Sequence, residues 1–351
     1  MPKFLQYLLL PLSWIYGTIV WCRKGLFKSG IFTRSKFDFP IICVGNITAG
    51  GTGKTPHIEW LIEKLKPNYQ VAVLSRGYKR KTNGYVLAQQ NSLPSEIGDE
   101  PYQIKQKFKD VTISVAENRV LGIPHLLSDS PDTQVILMDD GYQHLSIKAG
   151  FNIILCDYNR PYYNDFLLPS GLLRESAKGS NRADVIIVSK CPDSLNETAK
   201  NEIISNLKPL AHQKVYFSKI QYKTIQPLTQ AAKSQQIPSN AIALAGIAKA
   251  DLFISQLNKS YHIITSMLFA DHHTYTDDDI QKIATLYKSH TDSCIITTEK
   301  DAVKLGTNEI LKHIQHIPIW YLPIGIEVEN GEALIAQVTN YIQHEIANAS
   351  E

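Results

Sequence analysis

The glycine-rich stretch VGNITAGGTGKTPHIEW, residues 44–60, most constrains what this chain can fold into. A β-branched run precedes it and an amphipathic helical pattern follows it. Glycines let backbone N–H groups turn toward phosphates, and the helix directs its positive end at them. The usual pattern is G-x-x-x-x-G-K-[ST], and Thr48 stands here in place of its first glycine. We therefore predict a nucleotide site formed by Thr48, Ala49, Gly50, Gly51, Thr52, Gly53, Lys54 and Thr55.

A phosphate loop of this kind works with a magnesium ion. Lys54 is expected to reach the β- and γ-phosphates, and the Thr55 hydroxyl to ligate Mg²⁺. A second acid is needed at the end of a buried strand. The run VILMDDGYQH supplies Asp139 or Asp140, about 85 residues after the loop. The predicted cofactors are therefore ATP and Mg²⁺, with Thr55, Asp139 and Asp140 as metal ligands.

The rest of the chain is typical of an α/β protein. Near-continuous apolar runs indicate strands buried on both faces, hence a parallel sheet covered by helices. They lie at 39–45, 71–76, 112–116, 135–140, 152–157 and 183–190. From about 191 to 235 the chain is polar and less regular, and a second α/β set follows, in which Thr276 is a plausible helix N-cap. We predict a hydrophobic segment over 1–30, a phosphate-loop domain over 31–225 and a smaller α/β domain over 226–351.

Composition limits the function classes. The 351 residues are 44% hydrophobic and 20% charged, enough for a sizeable core. A net charge of +3 is too small to predict a nucleic-acid partner. The five cysteines contain no close pair, which argues against a disulfide framework and a zinc site and favours the cytoplasm.

The N-terminal segment FLQYLLLPLSWIYGTIVWC, residues 4–22, is almost free of charge. A continuous helix over it would reach about 28 Å, close to a bilayer core of ~30 Å. Trp14, Tyr16 and Trp21 are interfacial residue types, and a basic cluster follows. A helix packed on the protein's own core and a secretory signal are the alternatives. We favour a helix that lies in or dips into the cytoplasmic face of a membrane.

Three polar clusters interrupt the predicted elements. Asp99 and Glu100 open a helix in SEIGDEPYQIK, Asp271-His272-His273 follow a strand, and Arg174-Glu175 lie in a loop. A kinase needs a carboxylate to receive the proton of the attacking hydroxyl, and a histidine can orient it. A helix cap at Asp99 and a turn residue at His272 are equally ordinary interpretations of these clusters.

Seven motifs occur in the order VGNITAGGTGKTP, SRGY, GDEP, DDGYQH, LLPSGLLRE, ADHH and TEKDAVK. Together with LLLPLSWIYG at the start, they resemble the tetraacyldisaccharide 4′-kinases, the lipid A 4′-kinases of Gram-negative bacteria. The resemblance covers about residues 5 to 325. It implies a RecA-like P-loop domain joined to a smaller α/β domain, with the active site in the cleft. It also implies a monomer at the cytoplasmic face of the inner membrane that phosphorylates the 4′-hydroxyl of tetraacyldisaccharide 1-phosphate, giving lipid IVA.

The resemblance also implies roles for single residues. Asp99 becomes the candidate base and His272 its partner across the cleft, with Lys54 and Glu175 in the catalytic set and Glu175 supporting His272 or the metal region. Arg174 is expected to face phosphate. The implied substrate-binding residues are Asn46, Ser75, Arg76, Tyr78, Arg119 and His144, of which Arg76 or Arg119 would meet the 1-phosphate.

Some features leave alternatives open. The TEKDAVK motif (298–304) has no firm chemical role, and its Glu299 and Asp301 are expected to cap a helix or contact nucleotide. A P-loop NTPase acting as a switch would explain the loop and DDGYQH. A nucleotide-binding membrane scaffold would explain the loop and the apolar N-terminus. Neither alternative explains the phosphate loop and the apolar N-terminus together with Asp99 and His272.

Overall fold

The computed structural model describes residues 3–349, which form two large sheets and one short two-stranded sheet, with helices packed against them. The first elements are α1 (Lys3–Leu8), α2 (Leu10–Lys28), β1 (Ser35–Lys36), β2 (Ile41–Gly45), α3 (Lys54–Leu65), β3 (Val71–Ser75), β4 (Val86–Leu87), α4 (Pro94–Ile97), α5 (Asp99–Lys107), β5 (Thr112–Val115), α6 (Arg119–Asp129), β6 (Val135–Asp139), β7 (Ile147–Lys148), β8 (Phe151–Asp157), β9 (Val185–Ser189), α7 (Glu197–Leu207) and β10 (Lys214–Tyr222). Then follow β11 (Gln226–Pro227), α8 (Gln230–Lys233), β12 (Asn240–Ala245), α9 (Ala250–Leu257), β13 (His262–Leu268), α10 (Asp277–Lys288), β14 (Cys294–Thr298), α11 (Glu299–Leu305), α12 (Asn308–Ile314), β15 (Ile319–Leu322), β16 (Ile324–Val328) and α13 (Gly331–Ala349).

The larger sheet confirms the predicted parallel arrangement. Within residues 3–349 it has nine strands in the order β16-β10-β9-β8-β2-β6-β3-β5-β4. Every neighbouring pair from β10 to β5 is parallel, and the two edge strands are antiparallel. Strands β2, β3, β6 and β9 are buried at every position, as their continuous apolar runs predicted. Because the carboxyl ends of parallel strands meet at one edge, the loops after β2, β3 and β6 lie together there.

The smaller sheet has five strands among the described residues, in the order β11-β15-β14-β12-β13. All its pairs are parallel except that of the short edge strand β11. Helix α10 begins as predicted: the Thr276 hydroxyl accepts the Asp279 N–H, and the Asp279 side chain accepts the Thr276 N–H. This reciprocal cap satisfies two otherwise unpaired donors at the helix start.

The C-terminal segment crosses back to the larger sheet, which differs from the predicted domain boundary. Strand β16 pairs antiparallel with β10, with Ile326 opposite Ile220. Helix α13 then packs Leu334, Val338 and Ile342 into the core of the larger sheet. Residues 324–349 therefore join the phosphate-loop half rather than the predicted 226–351 unit. The two paired strands are far apart in the sequence, and an apolar run predicts a strand without specifying the strand with which it pairs.

The stretch from 191 to 235 is more regular than its polar composition predicted. Helix α7 starts at an N-cap, Asn196, whose side chain accepts the Ala199 N–H at 2.9 Å. Strand β10 is buried only over Tyr216–Ser218, because it lies next to the sheet edge. Half-exposed strands carry polar residues, so β10 lacks the continuous apolar run that is typical of a fully buried strand.

The N-terminal segment is helical, as expected, and divides near Pro11 into α1 and α2. Ser13 and Tyr16 attach α2 to the loop at 166–175: the Ser13 hydroxyl donates to the Leu167 carbonyl at 2.9 Å, and the Tyr16 hydroxyl to the Arg174 carbonyl at 2.9 Å. Between residues 3 and 349, no helix combines the length and apolar character that crossing a bilayer requires. Membrane association of this segment stays a prediction.

Candidate active site

Residues 46–53 connect β2 to α3 at the carboxyl edge of the larger sheet and contain most of the predicted nucleotide site, whose Lys54 and Thr55 begin α3. Gly50 and Gly53 have φ values of 109° and 90°, which L side chains adopt only with strain. The Asn46 Nδ2 donates to the Thr52 hydroxyl at 2.9 Å. Asn46 is fully buried inside the loop and its Oδ1 has no hydrogen-bond partner, while its predicted substrate contact stays a prediction.

Two residues at the carboxyl end of β9, which β8 separates from β2 in the sheet, support the loop. The Ser189 hydroxyl donates to the Thr52 carbonyl at 2.8 Å. The Lys190 ammonium donates to the Gly51 carbonyl and pairs with Asp157 at 2.6 Å. Lys190 was not among the predicted site residues, since a lysine at the end of a strand is an ordinary feature. Its position adds a second cation beside the loop.

His57, in the first turn of α3, locks the start of the helix and was not predicted. Its Nδ1–H donates to the Gly53 carbonyl at 2.6 Å, and its Nε2 accepts the Ser218 hydroxyl at 3.0 Å. Burial lowers the pKa of His57 to about 4, so the ring is neutral, as one donating and one accepting nitrogen require.

The predicted acids lie beside the predicted lysine. The Lys54 ammonium is 3.5 Å from Asp140 Oδ1, and Asp139 is fully buried at the end of β6. The Asp139 Oδ2 accepts the Ser75 hydroxyl at 3.2 Å, while its Oδ1 is buried without a hydrogen-bond partner. Burial, reinforced by the charges of Glu100 and Asp140, raises the pKa of Asp139 to about 7. A buried, unpartnered carboxylate oxygen beside a phosphate loop is a free ligand for a cation.

Three of the residues predicted to meet the lipid head group have other partners. Ser75 is buried and orients Asp139. The Arg119 side chain is among the most buried in the described chain, and its guanidinium donates to His144 Nε2 at 2.7 Å. Burial and the Arg119 charge lower the pKa of His144 to about 4, so its ring is a neutral acceptor. Ser75, Arg119 and His144 therefore support the end of β6 from within the protein.

Arg76 and Tyr78 of the same SRGY motif have the exposure that a substrate contact needs. Both side chains are exposed in the loop after β3. The Tyr78 ring meets the His272 ring edge-on, with centroids 6.0 Å apart. Their predicted contact with the acceptor stays a prediction.

The loop at 166–175 packs directly on the phosphate loop. The Ala49 N–H donates to the Leu172 carbonyl at 2.7 Å, and the Arg174 N–H to the Ile47 carbonyl at 2.8 Å. The Arg174 guanidinium lies 3.8 Å from Asp140, so this cation faces the predicted phosphate and metal site as expected.

Glu175 is paired differently from the prediction. Its carboxylate accepts two hydrogen bonds from Arg182, at 2.9 and 2.8 Å, and forms an ion pair with Lys24 of α2. Burial would raise the pKa of Glu175, but Arg182 and Lys24 outweigh it and hold that pKa below its ordinary value. Glu175 therefore joins the N-terminal helix to the loop, and its partners do not include His272.

The Asp99–His272 pair forms as expected, and a lysine completes it. Asp99 is the first residue of α5, and its Oδ2 lies 3.3 Å from His272 Nδ1 and 2.9 Å from the Lys304 ammonium. Burial alone would raise the pKa of Asp99, but hydrogen bonds and charge from His272 and Lys304 hold that pKa below its ordinary value. Lys304 ends the TEKDAVK motif, which the sequence singled out without finding its role.

The larger and smaller sheets thus contribute to one site. Asp99 comes from α5 of the larger sheet, while His272 and Lys304 follow β13 and β14 of the smaller one. Glu100 lies near enough to Asp139 for its charge to act on that carboxyl. A carboxylate held ionised, with a cation-lined phosphate loop beside it, can accept a proton from a hydroxyl that attacks a phosphate.

Comparisons with known proteins agree with this arrangement. The family model described as "Tetraacyldisaccharide-1-P 4'-kinase" matches residues 5–343. The "Tetraacyldisaccharide 4'-kinase" of Bacteroides thetaiotaomicron is 42% identical over 361 residues, which cover 97% of this chain and 94% of that protein. The protein of the same name from Flavobacterium johnsoniae is 44% identical over 320 residues, which cover 90% and 92%.

One solved structure is similar to this chain over almost the whole length of both proteins. The crystal structure of LpxK from Aquifex aeolicus in complex with ATP has a TM-score of 0.74 and 26% sequence identity, covering 96% of this chain and 99% of that chain. The family match, the relatives and this fold coincide over nearly every residue. The chain belongs to the tetraacyldisaccharide-1-P 4′-kinase family.

Proposed function

We propose that this chain is an ATP-dependent kinase that phosphorylates the 4′-hydroxyl of tetraacyldisaccharide 1-phosphate, giving lipid IVA in lipid A biosynthesis. The larger sheet serves as a RecA-like P-loop domain. Relatives bear the name of this activity, and the similar structure from Aquifex aeolicus is in complex with ATP. The observation that carries the proposal is the Asp99 carboxylate, which His272 and Lys304 hold and whose neighbour Glu100 lies near enough to Asp139 for its charge to act there.

The phosphates are held by the loop after β2 and by cations around it. The Ala49 and Thr52 N–H groups donate to backbone carbonyls within the protein, so the other N–H groups of the loop and those at the start of α3 turn to the β- and γ-phosphates. Lys54 leaves Asp140, 3.5 Å away, to contact the transferring group, and Arg174 adds a further positive charge from the loop at 166–175. Cations placed where negative charge develops lower the barrier of phosphoryl transfer.

Asp99 receives the proton of the attacking hydroxyl. Its Oδ2 is occupied by two donors, so Oδ1 is the oxygen that meets the acceptor. His272 and Lys304 keep the carboxylate charged, which a general base requires before it can accept a proton.

The donor set suits a magnesium ion. Asp139 offers an unpartnered buried oxygen, and Thr55 is the second residue of α3, next to Lys54. Within residues 3–349 there is no group of three or more histidine, cysteine or acidic side chains arranged for a metal. That fits Mg²⁺, which proteins hold through one or two carboxylates together with substrate phosphates. When bound, the ion neutralises charge on the β- and γ-phosphates.

The acceptor approaches from a membrane surface. Helices α1 and α2 expose a set of large apolar side chains near a basic stretch. In this proposal the protein is a monomer that lies at the cytoplasmic face of the inner membrane. The most exposed of these side chains are Phe4, Tyr7, Leu8, Trp14, Ile15, Ile19 and Trp21. Interfacial helices of this kind bury one apolar face at the headgroup boundary. Arg76 and Tyr78, both exposed in the loop after β3, contact the disaccharide head group, and the Tyr78 ring borders His272.

Transfer of labelled γ-phosphate from ATP to the disaccharide lipid in mixed detergent micelles tests this function. We expect labelled lipid from the wild type and a strongly reduced rate from Lys54→Ala, which removes the cation next to the transferring group. ATP hydrolysis at the same rate with and without lipid, and no labelled lipid, would indicate a switch or scaffold instead.

A further inference from the structure

The last residue of the TEKDAVK motif, Lys304, lies in the catalytic cleft. Lys304 projects from the last turn of α11 and its side chain is only 8% exposed. Its ammonium contacts Asp99 Oδ2 at 2.9 Å and donates to the His273 carbonyl at 2.8 Å. One buried lysine therefore holds both the base and the turn that carries the partner of the base.

Two lysines of α11 hold that turn. Lys300 and Lys304 are four residues apart and so share one face of the helix. The Lys300 ammonium pairs with Asp271 Oδ1 at 2.9 Å, and the same oxygen accepts the His272 N–H at 3.0 Å. His272 itself has a φ of 60°, an unusual conformation that neighbouring contacts must maintain. Lys300 thus supports the turn, while Lys304 supports the turn and contacts the base.

Both donors to Asp99 use the same oxygen. His272 Nδ1 and Lys304 Nζ each approach Oδ2. Within the part of the chain that the structure describes, no side chain forms a hydrogen bond or ion pair with Oδ1. Fixing one oxygen of a carboxylate from two directions leaves the other with a defined position and both of its lone pairs.

We propose that Lys304 is a positioning residue of this kinase: it fixes the Asp99 carboxylate in its ionised form with Oδ1 directed to the acceptor hydroxyl. This inference rests on the proposed function, in which Asp99 is the base. Lysine suits the task because its charge persists through the pH range in which a carboxylate titrates. A histidine alone would lose its charge near neutral pH.

The surroundings of Asp99 define how its charge is set. From the smaller sheet, α11 supplies Lys304, and the turn supplies His272, whose neighbour Asp271 is paired with Lys300. From its own helix, Glu100 is adjacent, and Tyr78 borders His272 from the loop after β3. Of the two side chains that donate to Asp99, Lys304 is therefore the one whose positive charge does not depend on the protonation of an imidazole ring.

The test compares Lys304→Met with Lys304→Arg in the full chain. We expect Lys304→Met to lower kcat for lipid phosphorylation about tenfold or more at pH 7, with an unchanged KM for ATP. Without the lysine charge, the acidic limb of the kcat/KM profile should move to higher pH by about one unit. Lys304→Arg retains the charge, so its limb should stay at the wild-type position.

Two control variants distinguish the effect of the Lys304 charge on Asp99 from the structural support of the turn that carries His272. Lys300→Met loosens the same turn without removing a contact to Asp99, so its acidic limb should not move. Lys312→Met, on the exposed part of α12, should behave as the wild type. Thermal unfolding checks that each variant folds. Should Lys304→Met fail to fold, Lys304→Gln keeps a donor for the His273 carbonyl without the charge.

A second measurement needs no turnover. The carboxyl ¹³C signal of Asp99, assigned by its loss in Asp99→Asn, reports the protonation midpoint directly. Lys304→Met or Lys304→Gln should raise that midpoint, and an unmoved midpoint overturns the inference. A wild type that labels no lipid refutes the proposed function instead, and the ¹³C shift still decides the role of Lys304.

Discussion

Single neighbouring charges determine which acidic residues of this site are ionised, because several of its carboxylates are partly or wholly buried. Asp99 stays ionised since His272 and Lys304 together outweigh the effect of its burial. Asp139 has no such cation on its free oxygen, and burial raises its pKa to about 7. Two carboxylates in one cleft therefore differ in chemistry: one is a charged base, and the other is a ligand that needs a cation.

Asp99→Asn tests the base at the scale of one atom. The amide cannot accept the proton of the attacking hydroxyl, so kcat should fall by about 100-fold or more. ATP affinity, measured by calorimetry, should stay within a factor of about two, because Asp99 contacts neither the phosphate loop nor the start of α3. Asp110→Asn, an exposed acid just after α5, is the matched control and should keep full activity. Near-normal turnover of Asp99→Asn would remove Asp99 as the base.

At the scale of elements, one loop joins the N-terminal helix to the phosphate loop. The loop at 166–175 accepts hydrogen bonds from Ser13 and Tyr16 of α2, and Glu175 pairs with Lys24. The same loop bonds to Ala49 and to the Ile47 carbonyl on its other side. The element that meets the membrane in our proposal is thereby fixed to the element that meets phosphate.

The exposed face of α2 should control membrane binding. Trp14 and Trp21 are 70% and 73% exposed, and burying an aromatic side chain is worth about 2 kcal/mol. The double variant Trp14→Ser/Trp21→Ser should lower sedimentation with phosphatidylethanolamine–phosphatidylglycerol vesicles at least about tenfold. Leu252→Ser, which removes an exposed apolar side chain on α9, should not change it. Equal sedimentation of the double variant and the wild type would contradict the membrane proposal.

At the scale of the whole molecule, a buried charge cluster connects three helices around the cleft. The Lys107 ammonium of α5 pairs with Glu59 of α3 at 2.5 Å and with Glu299 of α11 at 3.2 Å. The Gln103 amide donates to Glu59 as well. Helix α3 carries the phosphate loop, α5 the base and α11 the lysine beside the base. The cluster therefore sets the distance between the two halves of the site.

Lys107→Met should destabilise the protein by about 2–4 kcal/mol, because it leaves Glu59 buried without a cation. Urea unfolding followed by tryptophan fluorescence measures the loss. The double variant Lys107→Met/Glu59→Gln should recover part of the stability, since the uncompensated charge is gone. Lys66→Met breaks an exposed pair with Asp110 and should cost about 1 kcal/mol or less. Equal losses from Lys107→Met and Lys66→Met would show that the cluster has no special role.

The sequence alone determined the features that rest on local patterns. Continuous apolar runs specify buried strands, glycines with a lysine specify the loop after β2, and Thr276 specifies a helix start, because each depends on neighbours within a few residues. Only the tertiary structure decided partners that are distant in sequence. It returned β16 to the larger sheet, turned Ser75, Arg119 and Glu175 toward protein partners, and brought Lys304 to Asp99. Motif spacing gives the identity of a side chain but not the direction it faces, which packing between separate elements fixes.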